Sequence, residues 1–199
     1  MDSRFVENVE RIPSRFTEIH GWTVYGLIRT IKPKVLIETG TCSGYLTAFM
    51  ARGALDVGAK FYSIDYYNEG PPHAEPGSIE LVQERLDACG VLSGATLIAS
   101  EAVGAMESLS AAGDLDGLGM ALFDDLHSYR QVTKEIEISM RHLTEFGIVG
   151  GHDSLCKDFK GVNQAYREAV EKYALVGVWS PHSQGYCWLQ RPPAVGFAA

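Results

Sequence analysis

The chain has 199 residues and a formal net charge of −8, with 46% hydrophobic and 21% charged residues; this is an ordinary globular makeup, long enough to bury a full core as one domain, 1–199, without staples. Twenty-five acidic against seventeen basic residues is the wrong sign for binding by neutralising phosphates, so nucleic acid is not an expected partner. No apolar run approaches the ~20 residues of a membrane helix, and the polar start Met1-Asp2-Ser3-Arg4 lacks a signal's apolar core, so the expected location is the cytoplasm, with no membrane contact.

The elements alternate along the chain. Helical periodicity over residues 15–31 precedes an apolar run at 34–38, a helix at 44–55 and a strand at 60–65. A helix near 78–88, a strand at 95–99 and a short helix near 103–109 follow, then a strand at 119–124, a helix at 129–143, a strand at 147–150 and a helix at 162–173. Short buried runs separated by helices predict a parallel sheet with crossover helices. Residues 175–179 and 185–190 break this order, since no helix fits between them, and parallel neighbours need a crossover of a dozen or more residues. They must form an antiparallel hairpin. The expected fold class is therefore α/β, a Rossmann-like doubly wound, mostly parallel seven-stranded sheet with a C-terminal antiparallel hairpin; residues 1–31 form a helical segment ahead of a core at 34–190. Cys42, Cys89, Cys156 and Cys187 are scattered, without zinc-ligand spacing, and read as free thiols.

The first strand and its turn, Val35-Leu-Ile-Glu-Thr-Gly-Thr-Cys-Ser-Gly-Tyr45, hold the main motif. Gly40 and Gly44 bracket a strand-to-helix turn where a ligand can approach the backbone closely, at the strand end where open α/β sheets bind ligands. The dinucleotide fingerprint would need Gly at 42 and 45, where Cys42 and Tyr45 stand. Glu38 would repel a pyrophosphate and is better matched to an ammonium group. Asp65, ending the second strand, is placed to accept both hydroxyls of a ribose. Together they ask for an adenosine with a cationic tail, such as S-adenosyl-L-methionine (SAM). An ordinary turn with Asp65 capping a loop is the plainer reading.

Residues Ile37-Glu-Thr-Gly-Thr-Cys-Ser-Gly-Tyr-Leu-Thr-Ala-Phe-Met-Ala-Arg52 resemble motif I of class I SAM-dependent methyltransferases. The likeness is strongest to the small O-methyltransferases of the catechol and caffeoyl-CoA type and to related bacterial natural-product enzymes. It extends from about Lys34 to Gln190. The closing hairpin also fits the methyltransferase version of the fold better than the dehydrogenase version. The resemblance implies that Glu38, Gly40, Ser43 and Gly44, with Thr41 in the same turn, hold the methionine part. It also implies that Asp65 binds the ribose and that Ser100 and Glu101 flank the adenine.

At the ends of the fourth and fifth strands stand Leu122-Phe-Asp-Asp-Leu-His-Ser-Tyr129 and Gly150-Gly-His-Asp-Ser154. Adjacent strands lie ~4.8 Å apart, so Asp124 and Asp153 can share a cation, and two carboxylates suit a hard ion such as Mg²⁺. The resemblance implies that both are metal ligands, with an Asn after the second; Ser154 stands there instead. It also aligns Leu126 with a second Asp of the bacterial group. Asp124 is further expected beside the cofactor. His127 falls where the catechol and caffeoyl-CoA group has a basic lysine, and a near-neutral imidazole can act as a base; the plainer reading is a helix-start residue. His152 is read as a substrate contact or as support behind the site, and His20, His73, His142 and His182 as surface or helix residues. The loop 66–77 is long for its place and reads either as a lid or as an excursion.

The expected function is SAM-dependent transfer of a methyl group to a small-molecule hydroxyl, with Mg²⁺ assistance and a homodimer both kept open. Two alternatives stand beside it: a nicotinamide-dependent oxidoreductase, and a non-catalytic cofactor-binding protein of a biosynthetic pathway.

Overall fold

A computed structural model describes residues 3–14, 18–67, 78–181 and 184–192. The elements, in order, are α1 (Ser3–Val9), α2 (Glu18–Ile31), β1 (Val35–Thr39), α3 (Tyr45–Val57), β2 (Lys60–Asp65), α4 (Ile79–Ala88), β3 (Thr96–Ala99) and α5 (Ala102–Ala112). They continue with β4 (Leu118–Phe123), α6 (Tyr129–His142), β5 (Leu143–Gly151), α7 (Lys160–Tyr173), β6 (Val176–Ser180) and β7 (Tyr186–Gln190). Residues 15–17, the start of the first expected helix, and 68–77, most of the expected lid, lie outside the described residues, as do His73 and His182.

The sheet has seven strands in the order β3-β2-β1-β4-β5-β7-β6. The first five are parallel, and β7 pairs antiparallel with both β5 and β6. The expected fold class is the one observed. β1 is buried at all five positions, as a parallel strand covered on both faces must be. Its side chains alternate with the period of two. Val35 and Ile37 join the core under α5, α6 and α7 with Met106, Ile136 and Tyr166. Leu36 joins the opposite core with Phe49 and Met50 of α3 and Val24 of α2.

The largest boundary difference from the sequence reading is at the start of β5. β5 begins at Leu143 rather than Gly147, because Leu118 pairs with Leu143 and Met120 with Ile148, leaving the intervening residues of β5 as an irregularity that exposes Phe146. The helix α1 lies within the helical segment expected over 1–31 but ahead of the periodicity read at 15–31. Its Phe5 and Val9 are buried, and Phe5 meets Phe49 edge-on at 5.3 Å, so tertiary contacts hold a helix too short to persist by itself.

At the carboxyl edge of the sheet, the neighbouring ends of β1 and β4 are tied by Asp124 N–H donating to Thr39 O at 2.9 Å. The ends of β4 and β5 are tied by His152 N–H donating to Phe123 O at 3.1 Å. These bonds set three strand ends side by side and position everything below.

Candidate active site

Beyond β1 the chain turns through Gly40 at φ 87, Cys42 at φ 49 and Gly44 at φ 85, three left-handed residues within five positions. Asp65 holds this turn. Its Oδ2 accepts from Cys42 N–H and its Oδ1 from Tyr67 N–H, each at 2.8 Å. A carboxylate has about four acceptor sites, so the same group keeps capacity for two ribose hydroxyls. Thr41 Oγ1 meets Ser63 Oγ at 2.6 Å, and the Ser43 carbonyl accepts from Arg85 Nη1 at 2.9 Å. Both side chains are buried, so they brace the turn.

Glu38 faces the α3 side, 1% exposed. Its Oε2 accepts from Thr47 Oγ1 and from Ser63 Oγ, each at 2.7 Å. Burial outweighs these bonds and pushes its carboxyl up to about 7. At the end of β3, Ser100 N–H donates to Asp65 O at 3.0 Å. The Glu101 carboxylate caps α5, accepting from Val103 and Gly104 N–H; that is a helix N-terminal role.

The ends of β4 and β5 bring four side chains together. His127 Nε2 lies 2.6 Å from Asp153 Oδ2 and 3.4 Å from Asp124 Oδ1. His152 Nδ1 lies 3.2 Å from Asp124 Oδ1 and 3.3 Å from Asp153 Oδ2. The His127 ring stacks on Phe159 at 4.3 Å, and Ser128 caps α6 through Gln131 N–H, which fixes the segment between them. Burial disfavours the charged imidazole of His127, but the carboxylates of Asp124 and Asp153 outweigh it and raise the group to about 9. His152 rises to about 10 by the same balance. Asp153, although buried, is held down to about 2 by the two imidazoles. The near-neutral His127 expected from its residue type alone is thus corrected by its two acidic neighbours.

Asp124, His152 and Asp153 each offer a donor atom within 4.8 Å of the others. Asp153 Oδ1 is buried without a hydrogen-bond partner, a cost that a cation would remove. The residues present therefore fit a divalent ion. Leu126 is exposed, while Ser154 is fully buried.

Residues 37–154 match the family model described as a methyltransferase domain. The chain belongs to this methyltransferase family. Among solved structures, the methyltransferase is similar to the O-methyltransferase from Bacillus cereus in complex with S-adenosylhomocysteine (SAH), at 13% identity over 96% of this chain and 92% of that one, with a TM-score of 0.74. It is similar to the O-methyltransferase TomG from Streptomyces achromogenes, involved in tomaymycin synthesis and in complex with SAM, at 13% identity over 96% and 91%, TM-score 0.72. A third is the SAH-bound Podospora anserina methyltransferase PaMTH1, at 16% identity over 96% and 89%, TM-score 0.70. At these identities the likeness is one of fold. No curated protein matches the sequence.

Some buried polar residues near these strand ends were not legible in the sequence. His20, expected at the surface or on a helix, lies on α2 but is 6% exposed and stacks on Tyr186 of β7 at 4.9 Å. Tyr186 also faces His152 at 5.2 Å. His20 and Tyr186 line a small cavity of about 50 Å³ with Ile19, Thr23, Ser180 and Trp188. Glu135 of α6 is likewise buried, which raises its carboxyl to about 8; nothing in a lone helical glutamate announces this.

The buried Glu38 gives a pH prediction. A carboxyl whose folded pKa is raised stabilises the fold fully below its unfolded value, 4.5, and loses that contribution as pH climbs through about 7. Thermal melts of the ligand-free methyltransferase from pH 5 to 9 should therefore fall more steeply than those of Glu38→Gln. The difference should grow by about 1–3 kcal/mol across the window; parallel curves would show that Glu38 is ionised throughout.

Proposed function

We propose that the protein is a SAM-dependent O-methyltransferase acting on a hydroxyl of a small molecule, with a divalent ion at Asp124 and Asp153. The observation that carries this reading is that the β1 turn held by Asp65 and the Asp124, His127, Asp153 cluster open on one edge of the sheet, joined through Thr39 O and Asp124 N–H. A donor site and a proton-accepting site are thereby adjacent. The SAH and SAM complexes of the neighbours from Bacillus cereus and Streptomyces achromogenes support SAM as the donor, and their names support oxygen as the acceptor.

In this reading the turn at Gly40 to Gly44 and Glu38 receive the methionine end, Asp65 takes the ribose hydroxyls, and the segment at Ser100 and Glu101 flanks the adenine. The methyl group passes in line from the sulfonium to the acceptor oxygen. The S–CH₃ electron pair stays on sulfur, giving SAH, and the hydroxyl proton leaves to His127. Alignment is the larger requirement of such a displacement. The ion, when bound, would lower the pKa of the acceptor hydroxyl and orient its oxygen. Without it, Asp124 and Asp153 keep a proton on His127; with their charge taken up, the imidazole lone pair is free to accept one.

Titration calorimetry with SAH tests the donor half. The wild type should bind with micromolar affinity or better, NAD(H) should give no heat, and Asp65→Ala should weaken SAH by about 10-fold or more through loss of the sugar contacts and of the Cys42 tie. No heat with SAH would overturn the reading. Methyl transfer from SAM to small phenols and sugar hydroxyls, with and without chelator, tests the acceptor half.

A further inference from the structure

Two carboxylates alone would make an all-oxygen site, the kind Mg²⁺ prefers. Here an imidazole nitrogen stands in the same ring of donors. His152 Nδ1 is 3.2 Å from Asp124 Oδ1 and 3.3 Å from Asp153 Oδ2. Donors bound to one ion at about 2.0–2.2 Å stand about 3.0 Å apart at right angles and about 3.4 Å apart at tetrahedral angles, so these spacings, which hydrogen bonds from His152 to both carboxylates also produce, suit neighbouring ligands on one ion. The ring is also held in place: its side chain is 8% exposed, its backbone N–H is fixed to Phe123 O, and it packs on Tyr186. Asp153, at φ 57, has a buried Oδ1 without a hydrogen-bond partner, and its Oδ2 lies 2.6 Å from His127 Nε2.

We propose that His152 is a metal ligand, and that Asp124, His152 and Asp153 form a mixed nitrogen–oxygen site selecting a divalent first-row transition ion over Mg²⁺. Imidazole suits iron, nickel and zinc, whereas carboxylate and water alone suit magnesium. Three protein donors leave the remaining positions to water or to acceptor oxygens. The inference rests on the proposed cation site at Asp124 and Asp153, and it changes which ion that site takes.

The test uses untagged, chelator-stripped full-length protein titrated separately with Co²⁺, Mn²⁺, Zn²⁺ and Mg²⁺ by calorimetry, with the visible absorption of bound Co²⁺ as a second readout. Co²⁺ and Zn²⁺ should bind about 100-fold more tightly than Mg²⁺, with Mn²⁺ the weakest of the three transition ions. His152→Ala should lower Co²⁺ affinity about 10- to 100-fold and shift the Co²⁺ spectrum, while SAH binding reports that the fold is intact. His152→Asn serves as the second variant should the alanine protein not fold, and the same Co²⁺ loss is expected of it. Equal or tighter Mg²⁺ binding, or Co²⁺ affinity and spectrum unchanged in a folded His152 variant, would overturn the inference while leaving a cation site at Asp124 and Asp153 standing. Absence of binding by every ion would overturn both.

Discussion

Gly40→Ala should abolish measurable SAH binding and destabilise the fold by about 3–5 kcal/mol. The residue is held at φ 87, where a side chain is strained by about 1–2 kcal/mol. Space is the larger obstacle. A Cβ on Gly40 would lie 2.8 Å from Asp125 N and closer still to the Asp124 carbonyl. Those are backbone atoms, bound to β1 through Asp124 N–H and Thr39 O, so relief would require the ends of β1 and β4 to separate. That movement would dismantle the turn and displace Asp124 together. Gly26→Ala on α2, where an added Cβ meets nothing within 4 Å, is the control and should be neutral or stabilising by up to about 1 kcal/mol. Thermal melts and SAH calorimetry on both proteins decide the matter; wild-type SAH affinity in Gly40→Ala would place the cofactor elsewhere.

His127→Ala should lower turnover by about 10²- to 10⁴-fold and leave SAH affinity within about twofold. The imidazole faces the carboxylates of Asp153 and Asp124 and is locked by stacking on Phe159, whereas the turn that Asp65 ties lies across the Thr39 to Asp124 connection. A residue that only supported the fold would, when removed, affect both quantities. Single-turnover methyl transfer with saturating SAM separates them. Unchanged turnover would reject His127 as the proton acceptor.

The β1 turn and the alternation of strands and helices could be read from the sequence because they are local. Gly40, Gly44 and the buried run before them state a backbone conformation, and period-two or helical spacing states an element. The hairpin followed from chain length alone, as residues 175–190 have no room for a crossover. What escaped notice depends on partners distant in sequence. β5 starts early because Leu143 finds Leu118. His20 resembles any helical histidine until β7 sets Tyr186 against it. At the candidate site, the residue types at 124, 127 and 153 were sufficient to suggest a cluster, but not its electrostatics. The upward shift of His127 and the ligand-like spacing of His152 require the ends of β4 and β5 to lie side by side.

β7 follows β6 along the chain yet lies inside it in the sheet, hydrogen-bonded on both sides. A nascent chain that had emerged only as far as Ser180 would leave β5 with a bare hydrogen-bonding edge and β6 with no strand to pair with. The aromatic wall that Tyr186 supplies to His152 and His20 would also be missing. Assembly of this face therefore waits for the segment after β6, and ribosome-bound intermediates would expose a template for unwanted strand addition until β7 arrives.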